Sequence, residues 1–187
     1  QVSSGRHHTL ALKTPDSFNH HVDAGLICDS SIGLNDSLCF PVKGALCFRP
    51  IDRVQKKAID LIQIPLMLMD SALIKCGYLL KSDMLTIASR LARLAAHHNM
   101  AFSICWHDHL FFEGSYFAET YQEILEIMST SGGWLCMPSE LALFHKQLSE
   151  AEWELTNDGQ WIPANTAVTI PSSWADTVRP VTSATNV

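Results

Sequence analysis

The clearest pattern in the chain is a short alternation of apolar and smaller residues that leads into ionisable side chains. Residues 101–112 read AFSICWHDHLFF, and Phe102, Ile104 and Trp106 alternate with smaller side chains. A period of two predicts a strand. The strand runs directly into the sequence His-Asp-His at 107–109. Because ligands collect at the carboxyl ends of parallel strands, we expect the functional site at this end of the strand.

Helical spacing of apolar residues predicts an amphipathic helix on each side of this strand. The first begins at Ser82-Asp83 and carries on one face Met84, Ile87, Ala88, Leu91, Leu94 and Ala95. The second spans residues 115–130, with a face formed by Phe117, Tyr121, Ile124, Leu125 and Met128. An apolar stripe of this kind is typical of a surface helix that packs against a core.

Shorter patterns predict the remaining elements of an α/β fold. Strands are predicted at residues 8–13, 26–28, 45–48, 62–69 and 134–137, and helices at residues 18–24, 52–59 and 138–153. Their alternation favours βα units with a parallel sheet. After residue 153 the pattern changes to a hairpin around Asn157-Asp158-Gly159, a strand at 166–170 and a polar tail. We therefore divide the chain into an α/β region, residues 1–152, and a small C-terminal β addition, residues 153–187.

Composition and charge argue against several classes of protein. The 187 residues are 47% hydrophobic and 17% charged, which is typical of a folded chain with an apolar core. A net charge of −6 without a basic run argues against a nucleic-acid partner. No apolar stretch approaches the ~18–20 residues of a membrane span, and the first residues lack the apolar core of a signal peptide. The six cysteines include no C-x-x-C pair, so we expect reduced core thiols in a cytoplasmic protein.

The two histidines of the His-Asp-His sequence are the first candidates for chemistry. His107 and His109 are two positions apart and share a face if the strand continues through them. The pair supplies two nitrogens for a zinc site, whereas a catalytic zinc needs three protein ligands. In the alternative, one imidazole is buried and hydrogen-bonded while the other is solvated. Both interpretations stay open at the level of the sequence.

Two aspartates each close an apolar run. Asp29 follows the sequence LIC at 26–28, and Asp70 follows IPLMLM at 64–69. An aspartate at such a position is either a working carboxylate or a side chain that accepts hydrogen bonds from the backbone of a turn. The sequence contains no glycine-rich phosphate loop, G-x-S-x-G turn or H-E-x-x-H helix, so it does not support a nucleophile triad.

Taken in order, the strand ends resemble a known enzyme family. Arg6 opens a predicted strand, and a short helix and the sequence GLICDSS at 25–31 follow it. IPLMLMD at 64–70 and SICWHD at 103–108 come later. This order is similar to the third, fourth and fifth motifs of the NodB-homology polysaccharide deacetylases, over about residues 6–147. The resemblance implies an irregular (β/α) barrel and the metal-dependent hydrolytic removal of acetyl groups from a saccharide.

The resemblance also implies roles for individual residues. His107 matches the general acid that protonates the leaving amine or alcohol, and Arg6 matches the residue that orients the catalytic carboxylate. Asp29 is expected to hold Arg6 in place, and Trp106 is expected to bind substrate by lining the acetyl pocket. In such enzymes a divalent metal such as zinc polarises the carbonyl and activates water, while an imidazole donates the proton.

The likeness begins at the third motif of the family. The first motif has paired aspartates and the second has two histidines at i and i+4, and this sequence contains neither pattern. The cofactor is therefore unknown, and His107 and His109 remain as candidate metal ligands. We expect either the C-terminal half of such a domain, which needs an N-terminal half or a second chain, or a diverged protein without the metal. A half barrel also leaves open sheet edges that need cover.

Three functions are compatible with these features. The first is a polysaccharide deacetylase-like protein that is incomplete or inactive as this chain stands. The second is a non-catalytic saccharide-binding or scaffold protein on the same fold. The third is a different metallohydrolase that uses His107 and His109 directly as ligands. In the deacetylase interpretation His109 is nearly dispensable, whereas the metallohydrolase interpretation makes it essential.

Overall fold

The computed structural model describes residues 3–38, 46–157, 159 and 161–164. Its contacts divide the chain into two units, Gln1–Ala142 and Leu143–Val187. The division falls inside a helix, upstream of the boundary expected after residue 152. The expected strands at 45–48 and 166–170 lie partly or wholly outside the described residues.

The described part of the chain contains short strands and five α-helices. The strands are β1 (Ser4–Gly5), β2 (Cys28–Asp29), β3 (Ile51–Asp52), β4 (Lys57–Ala58), β5 (Ile62–Gln63), β6 (Leu66–Met69), β7 (Ser103–Cys105), β8 (Trp153–Leu155) and β9 (Trp161–Pro163). The helices are α1 (Asp16–Asp23), α2 (Asp70–Lys75), α3 (Lys81–His97), α4 (Tyr116–Thr130) and α5 (Pro138–Glu150). Single 3-10 turns occupy His8–Leu10 and Asp108–Leu110.

Parallel strands position the site in the first unit. β1, β2 and β5 form one parallel sheet in that order, and β6 and β7 form a second parallel pair. Pro65 separates β5 from β6 because it has no N–H for a ladder. The N–H groups of Ile64 and Leu66 on either side of it donate to Asp29 and Ile32 at 2.8 Å, so the chain continues along β2 and its following turn.

The apolar core explains why these strands and helices pack together. One cluster of fully buried side chains joins β6, α2, α3 and α4 and comprises Leu68, Leu73, Met84, Ala88 and Ile124. Every residue of β6 is buried, which is expected for a strand that is covered on both faces. Lys81 at the start of α3 forms ion pairs with Glu119 and Glu123 of α4, at 2.9 and 2.7 Å.

The predicted α/β class is confirmed, while the finer prediction of a barrel is not. Within the described residues, no sheet closes on itself, and the strands are only two to four residues long. Helices α1, α3, α4 and α5 and strand β7 form where periodicity predicts them. In the second unit, β8 pairs antiparallel with β9, as the predicted hairpin requires. None of the described helices is both long enough and apolar enough to span a membrane.

The strand predicted at residues 8–13 is wrong. The strand lies earlier, at Ser4–Gly5, and the chain then turns at His8–Leu10. Thr9 and Leu10 have φ angles of 56° and 57°, in the left-handed region, which an extended strand does not use.

The helix predicted at residues 52–59 and the strand predicted at residues 134–137 are also wrong. β3 and β4 pair as an antiparallel hairpin, because Oδ1 of Asp52 accepts the N–H groups of Val54 and Gln55, both at 2.9 Å, and turns the chain. Residues 134–137 have no strand ladder, and the N–H of Met137 instead donates to Oε2 of Glu140 in the first turn of α5 at 2.7 Å.

Candidate functional site

The carboxyl ends of the parallel strands carry the site residues predicted from the sequence. Arg6 directly follows β1, and Asp29 is the last residue of β2. Asp70 directly follows β6, and His107 lies two residues beyond β7. Because the strands within each sheet run parallel, these side chains leave their sheets at corresponding ends.

Asp70 and His107 form a hydrogen-bonded pair. Oδ1 of Asp70 lies 2.6 Å from Nδ1 of His107, and Oδ2 accepts the backbone N–H of His107 at 2.6 Å. The register explains the contact, because Met69 of β6 pairs with Cys105 of β7 and both chains then leave the sheet side by side. The carboxylate thus fixes both the ring and the backbone of the histidine.

Burial differs sharply between these two partners. The side chain of Asp70 is 1% exposed, whereas that of His107 is 40% exposed. A carboxylate only accepts hydrogen bonds, so it assigns the proton of the neutral ring to Nδ1 and leaves Nε2 available. An imidazole oriented in this way is prepared for proton transfer, and the same arrangement also orients histidines that bind metals.

Arg6 joins the ends of β2 and β7. Its Nε donates to the carbonyl of Ser30 at 3.1 Å, and Nη2 donates to the Ser30 hydroxyl at 3.0 Å. Nη1 donates to the carbonyl of Ile104 in β7 at 3.3 Å. The guanidinium therefore lies between two strand ends, and the Ile104 carbonyl that it binds is three residues before His107 along the chain.

Asp29 organises the turn that follows β2. Its Oδ1 and Oδ2 accept the N–H and the hydroxyl of Ser31, at 2.8 and 2.6 Å. With the side-chain amide of Gln63 assigned to satisfy its neighbours, its nitrogen donates to Oδ1 of Asp29 at 2.7 Å. The hydroxyl of Ser31 in turn accepts the N–H of His7 at 2.8 Å. The carboxylate is 1% exposed, so this network is internal to the protein.

The expected direct contact between Asp29 and Arg6 does not form. Among the described residues, the guanidinium hydrogen-bonds to Ser30 and Ile104 and makes no ion pair with the Asp29 carboxylate. Asp29 instead shapes the turn that presents Ser30 to Arg6. The physical reason is that the N–H and hydroxyl of Ser31 and the side-chain amide of Gln63 already bind that carboxylate.

Two stacked imidazoles lie next to the turn after β2. The rings of His7 and His21 have centroids 4.8 Å apart. Nδ1 of His21 lies 3.3 Å from Oδ2 of Asp29 but is not aligned for a hydrogen bond. Burial lowers the pKa of His21 below its ordinary value, and this effect outweighs the attraction of the Asp29 carboxylate. We therefore expect His21 to be neutral near pH 7.

A pocket of about 300 Å³ opens beside Arg6. It is lined by Ser4, Gly5, Arg6, Cys28, Asp29, Ser30, Ile104 and Pro138. Burial, with a smaller contribution from Asp29, raises the pKa of the Cys28 thiol to about 11. The thiol is therefore protonated near neutral pH and is not a nucleophile. The guanidinium and the hydroxyl groups are the polar features that can orient a ligand here.

Trp106 packs into the core and does not line this pocket. Its ring contacts Phe117 and Tyr121 of α4, with centroid distances of 6.3 and 5.6 Å. Its Nε1 is buried and has no hydrogen-bond partner among the described residues. The substrate-binding role of Trp106 stays a prediction, and any contact with a ligand would use the part of the ring that remains exposed.

The described residues do not fit a metal centre. The rings of His107 and His109 lie close together, with centroids 5.5 Å apart. However, no group of three or more His, Cys, Asp or Glu side chains in the described part of the chain is arranged to hold a metal ion.

Sequence reasoning missed the residues that support the site. Ser30, Ser31 and Gln63 each bind a predicted site residue. Asp70 binds both the ring and the backbone N–H of His107, which its position in the sequence does not indicate. The signal for the serines was present in the Asp-Ser-Ser sequence, which is typical of a turn held by its own side chains. No local signal marks Gln63, since only the pairing of β2 with β5 brings it to Asp29.

Comparison with other proteins adds no further assignment. No protein-family model matches this chain, and no curated protein or solved structure matches it either.

Proposed function

We propose that the protein removes acetyl groups from a saccharide by hydrolysis and that His107 is the general acid. The observation that carries the proposal is the pair of Asp70 and His107. The buried carboxylate binds Nδ1 at 2.6 Å, and the ring that presents Nε2 is 40% exposed. The resemblance of the strand ends to polysaccharide deacetylases supplies the reaction class and the saccharide as substrate.

His107 acts at the second half of the reaction. Water adds to the acetyl carbonyl and releases a proton to the solvent, and the tetrahedral intermediate then collapses as its C–N or C–O bond to the sugar breaks. The imidazolium of His107 donates the proton of Nε2 to the leaving nitrogen or oxygen, which gives acetate and the free amine or alcohol. The Asp70 carboxylate holds the ring by Nδ1 during the transfer. Asp70 is a positioning residue because it touches His107 and not the substrate.

A NodB-like curvature of the parallel strands belongs to the same proposal. Arg6 follows β1 and reaches the carbonyl of Ile104 in β7, although β1 and β7 belong to different sheets, β1-β2-β5 and β6-β7. That contact supports a sheet that curls toward a barrel. A cytoplasmic location is also proposed, and the free thiols of the five described cysteines support it.

Acetate release from N-acetylated chitooligosaccharides tests the proposal, with and without added divalent cation. The His107→Asn variant is expected to lose about 100-fold or more in kcat, because it has no proton to donate to the leaving group. The Asp70→Ala variant is expected to lose about 10-fold or more while its KM changes little. His109→Ala is the matched control and is expected to keep the wild-type rate. Wild-type activity in the His107→Asn variant would refute the assigned role, and no acetate release by the wild-type protein would refute the deacetylase proposal.

Non-catalytic saccharide binding is the second candidate function. The pocket of about 300 Å³ beside Arg6 supports it, because the pocket offers hydroxyl and guanidinium groups without needing proton transfer. Calorimetric titration with the same oligosaccharides distinguishes the two. Binding without acetate release, and unchanged in the His107→Asn variant, favours the second candidate.

A further inference from the structure

The guanidinium of Arg6 has no acidic partner in the described part of the chain. Its three hydrogen bonds go to neutral acceptors, namely the carbonyls of Ser30 and Ile104 and the hydroxyl of Ser30. A guanidinium has five N–H donors. Since each terminal nitrogen uses one of its two N–H groups, one remains on Nη1 and one on Nη2. The terminal nitrogens of a guanidinium form the edge that binds both oxygens of a carboxylate, and we call this edge of Arg6 the fork.

The pocket beside this fork has room for a small ligand. Its volume is about 300 Å³, at the lower end of the range for small-molecule sites. Gly5 lines it without a side chain, and the hydroxyl of Ser4 lines it without a hydrogen-bond partner among the described residues. The pocket therefore offers a cation and a free hydroxyl in the same space.

The acid that lines the pocket does not neutralise Arg6. Asp29 is engaged by Ser31 and Gln63, as described above, and forms no ion pair with the guanidinium. The whole chain carries a net charge of −6, so attraction for an anion is local to Arg6 and not a property of the general surface.

We propose that this pocket binds the carboxylate of a small acidic ligand through Arg6, with Ser4 as a second donor. The geometry carries this assignment by itself. Naming the ligand as a uronic acid residue of a saccharide rests on the proposed function. A planar carboxylate matches the two free N–H groups in a bidentate geometry, whereas chloride offers a single point of charge.

Titration of the full chain with defined probes tests the proposal. Sodium acetate and sodium glucuronate are the carboxylate probes, and glucose and sodium chloride are the controls at equal ionic strength. Both carboxylates are expected to bind saturably and to shift the backbone amide resonances of Gly5 and Ser30, while glucose and chloride leave them in place. Tighter binding of glucuronate than of acetate identifies a sugar acid as the ligand class, and equal binding identifies the carboxylate alone.

A pair of charge-preserving variants assigns the binding to the fork. Arg6→Lys is expected to weaken carboxylate binding at least tenfold, because lysine keeps the charge but not the planar geometry. Arg93→Lys, on the exposed surface of α3, is the matched control and is expected to bind as the wild type does. If Arg6→Lys does not fold, the resonance shifts of the wild-type protein decide the question.

The results that overturn the proposal are distinct from those that overturn the proposed function. Absence of saturable carboxylate binding, equal binding of chloride, or unchanged affinity in a folded Arg6→Lys variant each refutes the pocket. None of these measurements depends on acetate release. Binding of glucuronate without release of acetate would therefore support the carboxylate-binding pocket and refute the deacetylase proposal.

Discussion

The ends of β2 and β6 carry the same sequence pattern and yet have different partners. Each is an apolar run that closes in an aspartate, and both aspartates are buried. Asp29 accepts hydrogen bonds from its own turn and from the neighbouring β5, which are structural donors. Asp70 also accepts backbone N–H groups, from Ser71 and His107, but in addition it binds the half-exposed ring of His107. The burial of an aspartate at a strand end therefore does not show whether its role is structural or catalytic. The groups that donate hydrogen bonds to it must also be known.

Replacement of the two aspartates is expected to give the largest changes in the free energy of unfolding, and the two changes are expected to differ. Asp29→Ala leaves the N–H and hydroxyl of Ser31 and the amide of Gln63 without an acceptor in the interior, so we expect a loss of about 3–5 kcal/mol in the free energy of unfolding. Asp70→Ala also leaves the N–H groups of Ser71 and His107 without their acceptor, but it is expected to cost less, about 1–3 kcal/mol, because the exposed ring of His107 can turn to water. Urea denaturation measures both. A greater loss for Asp70→Ala would reverse the comparison.

A methyl group added to the turn after β2 is expected to have the next largest effect. In Gly33→Ala the new Cβ would lie 2.8 Å from Cβ of Leu66 in β6, an atom that cannot move without the strand. We expect a loss of about 1–3 kcal/mol from this overpacking. Gly5→Ala is the control, because its Cβ would meet the flexible end of Leu26 at 2.9 Å. Equal unfolding midpoints for the two variants would show that the turn is not held against β6.

The pH dependence of stability is expected to show a smaller effect. Burial lowers the pKa of His21, so below about pH 6.5 the unfolded chain binds more protons than the folded chain and stability falls as the pH falls. Burial also lowers the pKa of His145, which contributes to the same slope. His21→Gln is therefore expected to reduce the loss of stability between about pH 7 and pH 5 without removing it. If the urea midpoint of His21→Gln falls with pH as steeply as that of the wild-type protein, His21 is not a source of the pH dependence.

His109→Ala is expected to give the smallest effect. The side chain is exposed, and its described contact is the ring of His107 at a centroid distance of 5.5 Å. We expect a change within about 0.5 kcal/mol in the free energy of unfolding. Elemental analysis before and after the substitution provides the second readout. Stoichiometric zinc that disappears with His109 would favour the metallohydrolase interpretation over the deacetylase proposal.

The helices of this fold could be predicted because their signals are local. The apolar faces of α3 and α4 repeat over several turns, and both helices form close to the predicted limits. The segment at 52–59 has too few apolar residues for a stable period, and the side chain of Asp52 turns the backbone into a hairpin instead. Strands of two residues, such as β1, depend on their neighbours for a ladder, so no local pattern fixes them.

The candidate site was predictable in its members but not in its contacts. Strand-end position alone selects Asp29, Asp70 and His107 as candidates. The contact between Asp70 and His107 depends on the pairing of Met69 with Cys105, which is a register between distant segments. The same limit applies to Arg6, whose binding to Ile104 joins residues that are 98 positions apart.

The central claim is that Asp70 holds His107 by Nδ1 and leaves Nε2 for proton transfer. Long-range ¹⁵N–¹H correlation spectra of the histidine side chains test it directly, with His109 as the internal reference. We predict that the neutral ring of His107 carries its proton on Nδ1, that the Asp70→Ala variant loses this preference, and that His109 shows neither feature. A proton on Nε2 of His107, or a ring that behaves like His109 in the wild-type protein, would contradict the account.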